Sequence, residues 1–456
     1  MLTLKAGADY YGTIGEIKSA ASFLGDTITV EQYYPAGPGG WRMVCTPLNG
    51  VTFDQFNDDI PKTGIEGGDY PSADNPWANI RYYNETYYEG DESDLNVGFT
   101  GIQSISDTID SKRGYFIYFL PSPTTIDITG AIPTGTVDID LSYTDGDGTP
   151  GNDGWNLVAN PFPSAIDWDK ESGFSKVGMS NSIYAFDPST GQYCSYVNGI
   201  NIGNMDNRIA PGQAFWVKAV GPTGHLRLTE AAKTKGHGAQ LRTADAYTET
   251  TVRIRLSHDD ISDECVFGFN QHATEGYDEN IDAYKFYPTN AHLPSIAVKS
   301  ENAEDEVPLS ISMMPIPEDG QIIPLEVKTG EHTEMYISNA GVDSFNDDVC
   351  LTLEDTELDK MVPMNQGDTY TFTVTEKTTD DRFVLHLAAT LDVTVLDETC
   401  PESDDAEVIA QGFGEAPWNF TWTDEMGMLV KETVGATSVD VLENANPGYY
   451  EIMVTN

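Results

Sequence analysis

The residues of this chain best suited to direct chemistry are aromatic and acidic, and both kinds gather near turns. Tyr82-Tyr-Asn-Glu-Thr-Tyr-Tyr88 packs Tyr82, Tyr83, Tyr87 and Tyr88 into one short run. A strand sends neighbours to opposite faces, so aromatics this dense must leave some rings in solvent. With Trp77, and more weakly Tyr193 and Tyr196, they form a candidate platform for stacking on sugar rings. The competing reading is that these rings pack in a core or pair across strands, as strand aromatics commonly do.

The acids offer a second chemistry. Asp145-Gly-Asp-Gly-Thr-Pro-Gly-Asn-Asp153 places Asp145 and Asp147 two apart in a glycine-rich loop that closes on Asp153. Hard cations such as calcium favour loops of this kind, in which several oxygens converge at about 2.4 Å. The loop lacks the bidentate glutamate of a helix-flanked calcium loop, and a solvated linker accounts for it as well. Asp259, Asp260, Asp263 and Glu264 form a second, weaker acidic cluster. Catalytic signals are missing: the seven histidines sit in neither a GxSxG nor an HExxH context. Carboxylate pairs for glycoside hydrolysis are uninformative, because 73 acidic residues make nearly any pair available. No enzyme is expected.

The elements that must hold these groups are strands. Glycine and proline are abundant, at 42 and 25 of 456 residues, and short runs rich in Thr, Val, Ile, Tyr and Phe lie between them. This pattern predicts an all-β chain of tandem sandwich-like domains. Trp41-Arg-Met-Val-Cys-Thr-Pro47 returns as Trp155-Asn-Leu-Val-Ala-Asn-Pro161. Each copy is followed by an Ile-aromatic strand and then by a glycine-led aromatic strand, Gly114 to Tyr118 and Gly212 to Val217. The shared order marks an internal duplication. The expected divisions are 1–40 as the end of a preceding β region, 41–150 and 151–245 as the two Trp-block repeats, 246–396 as a β-sandwich, and 397–456 as a truncated immunoglobulin-like unit.

Charge excludes several partners. With 73 acidic against 24 basic residues the formal net charge is −49. Phosphate backbones need a basic surface, so nucleic acid is not expected, and anionic membranes are repelled. No run approaches the roughly twenty apolar residues of a membrane span. Five cysteines, Cys45, Cys194, Cys265, Cys350 and Cys400, lie too far apart for metal-ligand spacing.

Gly154-Trp-Asn-Leu-Val-Ala-Asn-Pro-Phe-Pro-Ser-Ala-Ile-Asp-Trp168 resembles a block found in large surface and secreted proteins of Bacteroidota that carry a type IX secretion sorting domain. The likeness extends to Thr29-Val-Glu-Gln-Tyr-Tyr-Pro35, to Ile209 through Val217, to Ser262-Asp-Glu264 and to Tyr277 through Asp282. It covers roughly residues 20 to 390. The terminal unit separately resembles the repeats of gliding-motility adhesins, through Cys400, Pro417-Trp-Asn-Phe-Thr-Trp422 and Pro447 to Thr455. The resemblance implies an extracellular, cell-surface location, and export by secretion machinery that reads a sorting domain outside this chain. In those repeats a cysteine opening the first strand pairs with one after the last, so Cys400 is expected to be unpaired here. The expected function is a non-catalytic structural or adhesive region that binds glycans or other surface polymers weakly and multivalently, with calcium as a conceivable cofactor. The alternative is an accessory region of a secreted polysaccharide-degrading enzyme whose catalytic domain lies outside this chain.

Overall fold

Short alternating segments bounded by Gly, Pro, Asn and Asp leave the backbone one economical way to satisfy its polar groups, which is lateral pairing. The computed structural model describes residues 2–18, 27–56, 58–71, 76–87, 95–145, 152–235, 251–301, 306–316, 321–342, 349–374, 378–389, 392–396, 406–411, 417–437, 439–445 and 448–455. Among these the fold is all-β, and helix is confined to 3₁₀ turns of three or four residues.

The first Trp block is built from β1 (Leu2–Leu4), β2 (Ile28–Tyr34), β3 (Gly40–Val44), β4 (Ile80–Tyr83), β5 (Phe99–Gly101), β6 (Tyr115–Phe119) and β7 (Thr124–Gly130). Strands β1, β2 and β7 form one sheet, and the order β3-β6-β4-β5 forms another. The second block has β8 (Val137–Asp140), β9 (Trp155–Ala159), β10 (Phe174–Val177), β11 (Ile183–Phe186), β12 (Tyr193–Val197), β13 (Ile200–Ile202), β14 (Ala214–Lys218) and β15 (His225–Leu228). Its sheets run β8-β15-β10 and β9-β14-β11-β12-β13. The duplication is therefore topological: in each copy the Trp strand pairs with the last aromatic strand, which pairs with the Ile-aromatic strand.

The two copies meet about a local pseudo-two-fold axis. Cys45 N donates to Gly212 O at 2.7 Å, and Ala159 N donates to Lys112 O at 3.0 Å. Val44 bridges Gln213, and Val158 bridges Arg113. Counting from Trp41 and Trp155 makes Val44 equivalent to Val158, and counting back from their partners Tyr118 and Lys218 makes Arg113 equivalent to Gln213, so each contact is repeated with the copies exchanged. On the axis Phe116 meets its counterpart Trp216 at 6.3 Å between ring centroids. Gly114 must be small here, because a Cβ on it would lie 2.6 Å from the Cβ of its counterpart Ala214. The glycine-led strands thus align with Gly114 opposite Ala214 rather than Gly212, because cross-strand pairing with the Trp strands sets the register. One buried apolar cluster runs through both copies, from Leu4 to Leu228, and on into Val266, Tyr284 and Met313 of the region that follows.

That following region is a single large sheet. Its strands are β16 (Thr251–His258), β17 (Ile261–Phe269), β18 (Ala283–Tyr284), β19 (Ser295–Glu301), β20 (Glu306–Met314), β21 (Gln321–Lys328), β22 (Glu334–Ala340), β23 (Val349–Asp355), β24 (Lys360–Pro363), β25 (Thr369–Thr373) and β26 (Thr378–Ala389). The order is β24-β23-β26-β21-β19-β20-β17-β16-β22-β25, with β18 added on β20. The edge strands β24 and β25 are consecutive in the chain, so the sheet curls until it nearly closes around a second apolar cluster. The turn between them ties the rims: Met364 N donates to Leu351 O at 2.8 Å, and Asn339 Nδ2 donates to Asn365 O at 2.9 Å. Inside, Arg382 grips the buried Asp355 carboxylate through Nε at 2.9 Å and Nη2 at 2.8 Å, and the Tyr370 hydroxyl adds a bond at 2.8 Å. Burial opposes ionisation of Asp355, but these donors outweigh it and hold the carboxyl below the usual range.

The last unit pairs two three-stranded sheets. Its strands are β27 (Asp392–Leu396), β28 (Glu407–Gln411), β29 (Trp418–Asp424), β30 (Leu429–Ala436), β31 (Val439–Glu443) and β32 (Tyr450–Thr455), ordered β27-β28-β31 and β30-β29-β32. They enclose a small core of Ala410, Phe420, Trp422 and Leu442. Cys400 lies outside the described residues, whereas Cys45, Cys194 and Cys265 are buried thiols.

Candidate functional site

The sheet of the first Trp block carries aromatic residues on both faces, and what covers each face decides where a ligand could reach. Period-two alternation puts Trp41 and Met43 of β3 on the same face as Phe116 and Tyr118 of β6, with Trp41 directly opposite Tyr118. Arg81 of β4 lies opposite Phe116 on this face. One end of it is sealed: Phe116 meets Phe99 at 5.0 Å, and Tyr83 meets Trp216 of the second copy at 4.8 Å. The other end is open. There Trp41 stands edge-on to Tyr118 at 5.6 Å and 86°, and 43% of Tyr118 is exposed.

This open end is the floor of a groove of about 320 Å³ lined by Trp41, Trp77, Tyr118, Leu120, Arg81 and Asn79, together with the Pro61–Thr63 loop. Trp77 forms a projecting wall and is 71% exposed. Asn79 locks the wall to the floor: its Oδ1 accepts from Thr63 N at 2.9 Å and its Nδ2 donates to Pro61 O at 2.7 Å. Thr63 Oγ1 then donates to Trp77 O at 2.8 Å. Gly64 makes the approach feasible. It sits at φ +67°, and a Cβ there would lie 2.4 Å from the Trp77 carbonyl carbon. Beneath the loop the fully buried Lys62 donates to Ile60 O at 3.1 Å, and burial lowers its pKa.

Among the described residues Arg81 supplies the only formal charge in the lining. Its Nε donates to Ala78 O at 2.9 Å, and its guanidinium lies 5.1 Å from the centroid of the Trp41 ring. Cation–π contact and the Nε bond fix the plane of the guanidinium beside the exposed rings. Flat apolar rings with a planar donor and few other polar groups can stack on a sugar and hydrogen-bond its substituents.

The pseudo-equivalent edge in the second copy shows what happens when such a surface is covered. Trp155 lies opposite Lys218, as Trp41 lies opposite Tyr118. Trp155 is only 2% exposed, because Phe286 packs on it at 4.7 Å and Tyr284 at 6.2 Å. The Lys218 ammonium, enclosed over the Trp155 and Tyr284 rings at 5.0 Å each, donates to the Asp153 carbonyl. Burial pushes its pKa down to about 7. Among the described residues, one copy of the duplicated edge therefore seats the large sheet and the other stays open.

Of the residues singled out from sequence, Trp77 stands in the groove and the tyrosines do not. Tyr83 is packed between Phe99 and Trp216, and Tyr82 is half-buried under the Arg113 guanidinium at 4.8 Å. Tyr87 is exposed beyond the end of β4, and Tyr88 lies outside the described residues. The acidic loop divides similarly. Asp145 is exposed, Asp147 lies outside the described residues, and Asp153 is buried beside Lys218. The loop's base is pinned by the buried Glu85, which accepts from Thr144 Oγ1 at 3.0 Å and Gly154 N at 3.2 Å. The second acidic cluster is split by strand alternation: Asp263 turns inward to pair with Lys285, while Glu264 pairs with Arg253 at 2.5 Å. Among the described residues no three His, Cys, Asp or Glu side chains converge as metal ligands. Trp41, Tyr118, Arg81 and Asn79 went unnoticed in the sequence as a group. The signal was present in the facing of the Trp strand and the later aromatic strand, since a shared register makes Trp41 and Tyr118 neighbours.

Residues 78–387, more than half of the chain, match a family described as a domain of unknown function, DUF8693. The matched span opens at Ala78 of the groove and includes Asn79, Arg81 and Tyr118. Comparison with curated proteins gives no match. Among solved structures, a chain entitled "Biofilm associated protein - BSP domain" is 8% identical, with 97% of this chain and 92% of that chain covered at a TM-score of 0.11. A score that low means that the two folds do not superpose, and it carries no argument. By the extent of the family match, the chain belongs to the DUF8693 family.

Proposed function

We propose that this chain is a non-catalytic binding region of a secreted, cell-surface protein, and that it holds glycans or related surface polymers in the Trp41–Trp77–Tyr118 groove. The observation that carries this reading is Trp77, a large ring 71% exposed beside two further aromatics in a groove that polar bonds fix in shape. A ring kept in water costs solvation free energy of its own, and a preformed aromatic wall lowers the ordering cost of binding. The acid-rich composition, with a net charge of −49, suits a salty exterior in which screening over about 8 Å removes most self-repulsion. The likeness to exported Bacteroidota proteins supports the same location. The second copy's equivalent edge is covered, so each chain offers one such groove among the described residues, and multivalency comes from many chains displayed on one surface.

The test is a glycan array probed with the full chain, with and without calcium. Retention on a defined subset of polysaccharides, unchanged by a chelator, is the expected result, because no carboxylate among the described residues lines the groove. Uniform silence would remove the glycan reading and leave the groove as a seat for another protein segment, as the Trp155 edge is for the large sheet.

A further inference from the structure

We infer that the groove selects glycans bearing an oxyanion, either a uronate carboxylate or a sulfate ester, and that Arg81 is the residue that reads this charge. The inference rests on the groove being a glycan site and names the class of sugar that it takes.

Its first support is the distribution of charge. Acidic residues number 73 of 456, yet among the described residues no carboxylate lines the groove. Two other cavities of similar size among the described residues carry acid beside their cation: Asp187 with Arg42 in one, Asp278 and Glu279 with Lys218 in the other. The aromatic groove alone among these three combines a cation with no acid.

Its second support is the state of Arg81. Arg208, Arg227, Arg253 and Arg382 each rest on a carboxylate, whereas Arg81, like Arg42, Arg113 and Arg255, has no carboxylate partner among the described residues, and of these four it alone lines the aromatic groove. Arg81 has Nε on a backbone carbonyl and one guanidinium face on Trp41. Its remaining N–H donors are left for whatever occupies the groove. A planar guanidinium matches carboxylate and sulfate oxygens with two parallel hydrogen bonds, and charge-assisted bonds are about twice as strong as neutral ones. A neutral sugar hydroxyl can use only one such donor at a time.

The net charge of −49 works against any anion at long range, and the balance is decided by distance. At about 0.01 M salt the screening length is roughly 30 Å and repulsion from the whole surface is felt. At about 0.15 M it falls to roughly 8 Å, which leaves a contact with Arg81 at hydrogen-bond distance largely intact. Binding of an acidic glycan is therefore stronger at the higher of these two salt concentrations.

The experiment is calorimetric titration of the full chain at about 0.15 M salt. Three oligosaccharides of equal length are compared: one of uronic acids, the same one with its carboxyls reduced to alcohols, and that reduced form carrying sulfate esters. The wild type should prefer at least one anionic form by roughly tenfold, in keeping with a charge-assisted pair, and the two anionic arms identify which oxyanion it takes. Arg81→Gln should abolish the preference while leaving the neutral ligand unchanged. Arg81→Lys should keep part of it, because the charge remains and the fork is lost, and it also guards against a Gln variant that disturbs the Trp41 stack. Trp77→Ala should weaken all ligands together. Equal affinity for neutral and anionic forms, or a preference that survives Arg81→Gln, would overturn the role of charge and leave glycan binding standing. Failure of every oligosaccharide to bind would overturn both.

Discussion

Replacing Trp77 with alanine separates binding from folding more cleanly than any other change in the groove. A tryptophan contributes roughly 250 Å² of surface, so 71% exposure leaves about 180 Å² facing solvent. A sugar ring stacked on one face covers about half of this, or roughly 90 Å². At about 25 cal/mol per Å² the lost contact is worth about 2 kcal/mol, which corresponds to roughly thirtyfold in Kd. The part of Trp77 already buried, about 70 Å², bounds the cost to folding at about 2 kcal/mol by the same conversion. Calorimetry with the strongest array ligand, run beside a thermal melt, reads both quantities. Tyr10→Ala is the control, since Tyr10 is 55% exposed and lies outside the groove lining. Affinity within twofold of wild type for Trp77→Ala, or an equal loss for Tyr10→Ala, would refute the assignment of the groove.

Three further outcomes follow from the packing. Gly64→Ala touches no ligand but forces a left-handed alanine and a clash with the Trp77 backbone; it should displace the wall and cost binding at least tenfold, with an unchanged titration as the contrary result. Arg382→Met should lower the urea midpoint of the large sheet by an amount equivalent to about 3–5 kcal/mol, because the buried Asp355 loses its ion pair; removing the acid as well, in Arg382→Met with Asp355→Leu, should recover part of it. Lys218 has its pKa lowered to about 7 in the folded chain, so the unfolded chain binds the extra proton between there and about 10.4. Stability linked to this group is present above that window and is lost as pH falls through about 7. Lys218→Met should therefore gain on wild type more at pH 7 than at pH 9.5 in urea denaturation, and a difference that widens with pH would contradict the burial argument.

Much of the architecture was legible because it is written in local pattern. The recurrence of Trp41-Arg-Met-Val as Trp155-Asn-Leu-Val marked the duplication, and turn residues between apolar runs marked the strands. The groove was less legible because it is a product of register. Trp41 and Tyr118 are 77 positions apart and become neighbours only when β3 pairs with β6. Density of tyrosines proved a weaker guide. Tyr82 and Tyr83 do point to opposite faces, but Arg113 covers one face and Trp216 the other. The acidic clusters misled for a related reason, since Asp263 and Glu264 look adjacent along the chain and are separated by the thickness of a sheet. The pseudo-two-fold axis is invisible in sequence, because its evidence lies in bonds such as Cys45 N to Gly212 O that join distant segments.

The paired Trp edges also bear on how a duplicated protein acquires something new. Two copies of one fold begin with the same obligation, an aromatic rim that must be kept from water or put to use. Here Trp155 serves as a joint, packed under Phe286 and Tyr284 of the neighbouring sheet region. With that duty discharged by one twin, the rim at Trp41 and Tyr118 carries no such joint among the described residues, and if the groove binds as proposed, substitutions there can tune a ligand at less cost to the fold than at Trp155.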